Sequence, residues 1–221
     1  MFKSIGLAMP LAIAVSCFSA VSVSAATIFT DSFESPENTN NWQVYPDTFG
    51  DWFSSIGTGI EVQTSGVVVQ AQDGDQYIEL DSDSARGGDG TASTTNSSMT
   101  RTVNLVAGTY LLEWYYQPRT NTLGDNIIDV YLAGASESLL TNMIDSANGA
   151  GRSGWETRSA TFTVDGLDTD YALTFIANGR ENTLGGFIDN VTLSQVPLPA
   201  GLPLLLVGAA ALGFAGRRKR S

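Results

Sequence analysis

The sequence predicts an all-β fold: a two-sheet antiparallel β-sandwich of the jelly-roll kind, flanked by two terminal segments of different character. Three observations carry this. Gly, Ser, Thr, Asn and Asp are scattered through residues 27–195 and interrupt every long helical period. Between them lie about nine to eleven short runs with apolar residues at every second position, the pattern of half-buried strands. The 169 residues of this middle segment suffice to bury roughly two-thirds of their unfolded surface, so a core can form without disulfides.

In chain order, residues 1–26 read as a secretory signal. Lys3 supplies the positive start, residues 5–15 the apolar stretch, and Val23-Ser24-Ala25 a small-residue cleavage site. Two other readings stay open: a buried helix of the domain, and a lipoprotein signal, since Ala14-Val15-Ser16-Cys17 loosely fits a lipobox. Cleavage after Ala25 or Ala26 removes Cys17, the chain's single cysteine.

The strands follow. Residues 27–33, 60–63, 67–71 and 99–105 are expected early ones, and residues 76–81 place Ile78 and Leu80 on one face. After the turn Ala107-Gly108, residues 109–117 send Leu112, Trp114 and Tyr116 to the core and Glu113, Tyr115 and Gln117 outward, and Pro118 stops the strand. Residues 126–132 send Ile128, Val130 and Leu132 inward, with Asp129 and Tyr131 outward. Residues 157–164 bury Ala160, Phe162 and Val164, and residues 171–177 bury Tyr171, Leu173 and Phe175. The last run, 186–193, buries Phe187, Val191 and Leu193. Residues 83–96 and 143–153, rich in Gly, Ser, Thr and Asn, are expected to be mobile loops.

Residues 196–221 form the third segment. Val196-Pro197-Leu198-Pro199-Ala200-Gly201 precedes the 14 apolar or small residues 202–215, and Arg217-Arg218-Lys219-Arg220 follows. A spanning helix needs about 20 apolar residues, which this stretch reaches only by recruiting Leu198 and its neighbours. The basic cluster would then stay on the cytoplasmic side. The other reading is an apolar tail packed on the domain.

Composition narrows the chemistry. The chain has no histidine and one cysteine, which excludes imidazole-dependent triads, an internal disulfide and Cys-based zinc sites. All 23 acidic residues lie within 27–195, against six arginines and no lysine, so the domain carries −17 while the whole chain carries −12. Such a surface repels nucleic acid and anionic lipid.

Two resemblances rest on these strings. The VPLPAG string, apolar stretch and basic end resemble the VPLPA-type PEP-CTERM sorting signals of Gram-negative bacteria. That resemblance implies an exosortase-type membrane protease as partner, transient anchoring in the inner membrane, and release to the cell surface or to an exopolysaccharide or biofilm matrix. Within the domain, four strings in order are similar to the galactose-binding-like jelly-roll domains of secreted bacterial and plant cell-wall proteins. They are Asp31-Ser32-Phe33-Glu34, Asp73-Gly74-Asp75-Gln76-Tyr77-Ile78-Glu79-Leu80-Asp81, Ala107-Gly108-Thr109-Tyr110 and Gly186-Phe187-Ile188-Asp189-Asn190-Val191.

Asp189 shares the parity of Phe187, Val191 and Leu193, so it is expected to point inward, where a carboxylate needs hydrogen-bond donors, an arginine or a metal. The jelly-roll resemblance implies a structural calcium ion at Glu34 and Asp189; backbone N–H groups or an arginine are the alternative. Asp73-Gly74-Asp75 reads as a turn, because the acidic run from Asp73 to Asp89 lacks the spacing of a calcium loop. For binding, Tyr115, Gln117, Arg119, Asp129 and Tyr131 are expected to share one polar surface, with Trp52 as an aromatic platform at its rim. Flat rings flanked by amide, carboxylate and guanidinium groups suit the apolar faces and hydroxyls of sugars. No G-x-S-x-G, phosphate loop or metalloprotease motif occurs. The expected function is that of a non-enzymatic exported protein that binds or embeds in extracellular polysaccharide. A matrix or adhesion protein that contacts other proteins, and a glycoside hydrolase or lyase, are the alternatives.

Overall fold

The computed structural model describes residues 25–83, 94–151 and 154–197. Thirteen strands run through them: β1 (Ala26–Asp31), β2 (Trp42–Tyr45), β3 (Thr48–Phe49), β4 (Trp52–Phe53), β5 (Ile60–Thr64), β6 (Gln76–Glu79), β7 (Ser98–Asn104), β8 (Gly108–Gln117), β9 (Ile128–Gly134), β10 (Met143–Ala147), β11 (Glu156–Val164), β12 (Asp170–Ala177) and β13 (Phe187–Val196). They form the expected sandwich. A seven-stranded sheet has the order β11-β8-β13-β6-β5-β2, with β1 also paired to β13, and a six-stranded sheet has the order β10-β9-β12-β7-β4-β3. Among the described residues no helix is long and apolar enough to cross a membrane.

The core lies between the sheets. Ile78, Leu112, Trp114, Val191 and Leu193 come from one side, and Trp52, Met99, Val130, Leu173 and Phe175 from the other. Phe175 is met edge-on by Trp114 at 5.3 Å and by Trp52 at 5.9 Å, so two of the largest side chains in the core converge on one ring. Alternation explains the inward sets of β8, β9 and β12, which match the sequence expectation residue by residue.

Three local expectations are corrected. Residues 67–71 form a loop: the chain turns at Gly66 (φ +88°), and the backbone N–H groups of Val68 and Val69 donate to the Tyr77 hydroxyl. The expected loop 143–153 begins with a strand, β10, which pairs with β9. Finally, β13 carries a bulge. Asn190 takes φ +44° and the register on β8 shifts between Asp189 and Thr192. One extra residue reverses parity, so Ile188, Val191 and Leu193 face the core, while Phe187 lies outside that cluster and packs edge-on to Tyr77 at 5.0 Å.

Of the sorting motif, Val196 is the last residue of β13 and pairs with Thr109, and Pro197 follows it. Leu198, Pro199, Ala200, Gly201 and the basic cluster Arg217, Arg218, Lys219 and Arg220 lie outside the described residues, as do residues 1–24 and most of the expected loop 83–96.

Candidate functional site

The outer face of the seven-stranded sheet holds a buried polar cluster. On β5 and β6, Ile60, Val62, Ile78 and Leu80 turn to the core, so the alternate positions Glu61, Gln63, Tyr77 and Glu79 turn away from it. Cross-strand register sets Glu61 opposite Glu79 and Gln63 opposite Tyr77. All four are nonetheless buried.

Their polar groups satisfy one another. The Tyr77 hydroxyl donates to Gln63 Oε1 at 2.9 Å. Gln63 Nε2 donates to Glu61 Oε1 at 2.8 Å and to Glu79 Oε2 at 2.5 Å. Asp83 N–H donates to Glu61 Oε2 and Gly185 N–H to Glu79 Oε1, at 2.9 and 2.7 Å. Arg119, just past the end of β8, completes the set with an ion pair to Glu79 Oε2 and a hydrogen bond to the Thr183 carbonyl.

Burial pushes Glu79 well above the usual carboxylate range. The neighbouring Glu61 charge adds to this, and Arg119 and the Gly185 N–H pull it back. Glu61 is also raised, again first by burial. Burial lowers the Arg119 guanidinium, but the Glu79 charge and hydrogen bond more than offset this and leave it above its ordinary value.

Above this cluster is a cleft of ≈ 480 Å³ lined by Val67, Val68, Arg119, Thr120, Asn121 and Leu184, within the ~300–1,000 Å³ range of small-ligand sites. Its walls come from distant parts of the chain. The loop that carries Val67 and Val68 is tied down through the Tyr77 hydroxyl and through Trp155, whose Nε1 donates to the Gln70 carbonyl at 2.8 Å and whose ring meets Tyr77 edge-on. Arg119 lies near the Phe187 ring, with its guanidinium carbon 5.9 Å from the centroid. The result is a positioned cation beside hydroxyl, amide and aliphatic groups. Glu61 and Glu79 stand behind it, 4% and 0% exposed.

The sequence-predicted site residues divide into three groups. Tyr115 and Gln117 do share the outer side of β8, where Tyr115 pairs with Asp189 and Gln117 with Phe187, and Arg119 follows just past the strand's end on the same side through Glu79. Asp129 and Tyr131 do not join them. They alternate with Ile128, Val130 and Leu132 on β9, which belongs to the other sheet, so the whole core lies between the two sets. Asp129 is engaged there by the Ser146 hydroxyl and the Asn178 amide. Trp52 is 1% exposed and packed in the core, with its Nε1 donating to Asp31 Oδ2. It is no rim platform. Glu61, Gln63, Tyr77, Glu79 and Leu184 were not singled out for the site. The alternation of polar residues with Val62 and Ile78 was the available signal.

Glu34 and Asp189 both accept backbone N–H groups. Glu34 Oε1 accepts the N–H groups of Asp75 and Gln76. Asp189 Oδ2 accepts those of Gln72 and Asp73, and its Oδ1 that of Asn190. The two carboxylates thus clamp the turn at Gly74 (φ +65°). Burial raises Asp189 to about 7 despite these donors. A calcium ion needs six to eight oxygens facing it, and here N–H groups face the same carboxylate oxygens. Among the described residues no group of three or more acidic, His or Cys side chains is placed to hold a metal.

No family model and no curated protein matches this chain. Solved structures do. The K2 cleaved adhesin domain of Lys-gingipain matches with a TM-score of 0.54 at 15% identity, over 76% of this chain and 98% of that one. A cyclase from Fischerella sp. matches with a TM-score of 0.51 at 16% identity, over 80% and 98%. A xylan-binding domain of carbohydrate-binding module family 22 gives 0.49 at 14% identity, over 79% and 97%. The first two show the shared sandwich fold and nothing about activity.

Proposed function

We propose that this is a non-enzymatic exported surface or matrix protein whose domain, a galactose-binding-like jelly roll, binds extracellular polysaccharide in the cleft at Arg119. The observation that carries the reading is the buried Glu61–Gln63–Glu79 cluster beneath Arg119. It holds a guanidinium in a fixed orientation beside Thr120, Asn121 and the aliphatic Val67, Val68 and Leu184. Preorganised hydrogen-bonding groups next to apolar surface suit a sugar, which presents hydroxyls on its edges and C–H groups on its faces. Affinity electrophoresis of the mature protein through gels containing neutral plant or bacterial polysaccharides tests this. Retardation by at least one polymer is expected, weakened fivefold or more by Asn121→Ala with Leu184→Ala. Free migration in every gel overturns the reading.

We also propose that an exosortase-type system sorts the protein from the inner membrane of a Gram-negative bacterium. Support comes from the order of the VPLPAG string, the apolar stretch and the basic cluster. Leu205→Arg, or deletion of residues 217–220, is expected to impair membrane retention and processing. A mature protein of unchanged mass and location would refute it.

A further inference from the structure

A second cavity, ≈ 720 Å³ in volume, opens at the other end of the sandwich. It lies where β10 and β11, the edge strands of their two sheets, meet beside the loops 136–142 and 165–168. Leu132, Phe162 and Tyr171 provide apolar lining, and Glu137, Asp165 and Asp168 stand among the remaining lining groups. Phe162 stacks on Tyr110 with 18° between the ring planes. Val164, also in the lining, pairs with Gly108 at the start of β8, whereas Arg119 follows its end. Ten residues of strand therefore separate this cavity from the Arg119 cleft, roughly 30 Å.

Two of the carboxylates, Glu137 and Asp165, accept uncharged N–H donors. Glu137 Oε2 accepts Gly134 N–H at 2.8 Å and Asn142 Nδ2 at 3.2 Å, and Asp165 Oδ1 accepts Leu167 N–H at 3.0 Å. The Tyr171 phenol is raised first by its burial and then by the charges of Asp165 and Asp168, which line the same cavity. No arginine is among the lining residues, and the segment 27–195 has no lysine. The described arginines 101, 119, 158 and 180 pair with other acids. Among the described residues the chain thus supplies no cation for this cavity.

An aromatic and aliphatic floor under three carboxylates narrows the ligand. An anionic sugar is repelled. A purely apolar molecule would cover the carboxylates without giving them partners, which is costly. A neutral sugar uses the floor but leaves the charge unanswered. We infer that this cavity binds an amino sugar with a free amine. The apolar face of the pyranose ring lies against Phe162 and Tyr171, and the ammonium group meets Asp165, Asp168 or Glu137 by charge-assisted hydrogen bonds. The net charge of the domain draws such cationic polymers from a distance. This site does not depend on the Arg119 cleft being a sugar site.

The test is calorimetric titration of the mature protein at pH 6 and physiological salt with the β-1,4-linked trimer of glucosamine and with its fully N-acetylated counterpart. The two probes differ in charge but share the same ring skeleton. The free-amine trimer is expected to bind at least tenfold more tightly. Asp165→Asn with Asp168→Asn is expected to weaken it at least tenfold, and Ser136→Lys, which places a cation at an exposed lining position, is expected to do the same without touching the core. The control Asp47→Asn with Glu113→Gln removes as much charge from exposed positions outside the cavity lining and should leave binding within about twofold. Equal binding of the two trimers, no binding of the free-amine trimer, or equal weakening by the control pair would each overturn the inference.

Discussion

Arg119 is expected to carry much of the stability of the outer face as well as the chemistry of the cleft. Arg119→Met removes the guanidinium and keeps an apolar stem of similar reach. It leaves Glu79, 0% exposed, with Glu61 opposite it across the ladder and no cation between them. Breaking a buried ion pair from one side costs about 3–5 kcal/mol. For a domain of this size, at ~2–4 °C per kcal/mol, that is a fall in Tm of roughly 6–20 °C. The loss should depend on pH. Without Arg119 the folded-state pKa of Glu79 rises further, and a carboxylate raised on folding contributes stability at low pH that is lost as pH rises. Urea denaturation should therefore show the full deficit at pH 8 and a smaller one at pH 5, where a proton replaces the arginine as the partner of Glu79. Adding Glu79→Gln to Arg119→Met should recover most of the deficit at pH 8. A deficit identical at both pH values and not rescued by Glu79→Gln would refute the electrostatic account and leave only packing on Phe187.

Three further outcomes follow from the same structure. Asp189 is raised to about 7 on folding from an unfolded value near 3.9. Its stabilising contribution is complete below pH ~4 and declines as pH rises through about 7, by on the order of 4 kcal/mol. Glu61 and Glu79 shift in the same direction, so chemical denaturation should find the protein more stable at pH 5 than at pH 8, and Asp189→Asn should narrow the gap; a protein more stable at pH 8 contradicts this. Trp52→Ala should cost about 3–5 kcal/mol as a core truncation while the folded fraction keeps its polysaccharide retardation; lost retardation at full stability would return Trp52 to the binding surface. Because N–H groups face the oxygens of Glu34 and Asp189, a calcium chelator should leave Tm unchanged within about 1 °C, and a fall seen in the wild type but absent in Asp189→Ala would establish calcium there.

Much of the strand pattern was legible because burial on one face imposes period two. Ile128, Val130 and Leu132, and likewise Leu112, Trp114 and Tyr116, announce their orientation without any partner being known. The same rule failed on β13, because the bulge at Asn190 inserts one residue and nothing local marks the change of parity. It failed differently for Asp129 and Tyr131. Both do point outward, as alternation requires, but from β9 in the six-stranded sheet rather than beside Tyr115 in the seven-stranded one. Trp52 misled because β3 and β4 are two residues each, too short to show a period.

The amino-acid sequence by itself determined the fold class, the acidic and cysteine-poor character of the domain, and the inward faces of its longer strands. These properties are sums or short-range alternations along the chain. Only the tertiary structure decided which outward residues meet. The Arg119 cleft unites residues 67–68, 119–121 and 184 with carboxylates at 61 and 79, and the second cavity unites four strands with two loops. Such juxtapositions depend on strand order and on loops laid across a sheet, and neither leaves a periodic trace in the chain.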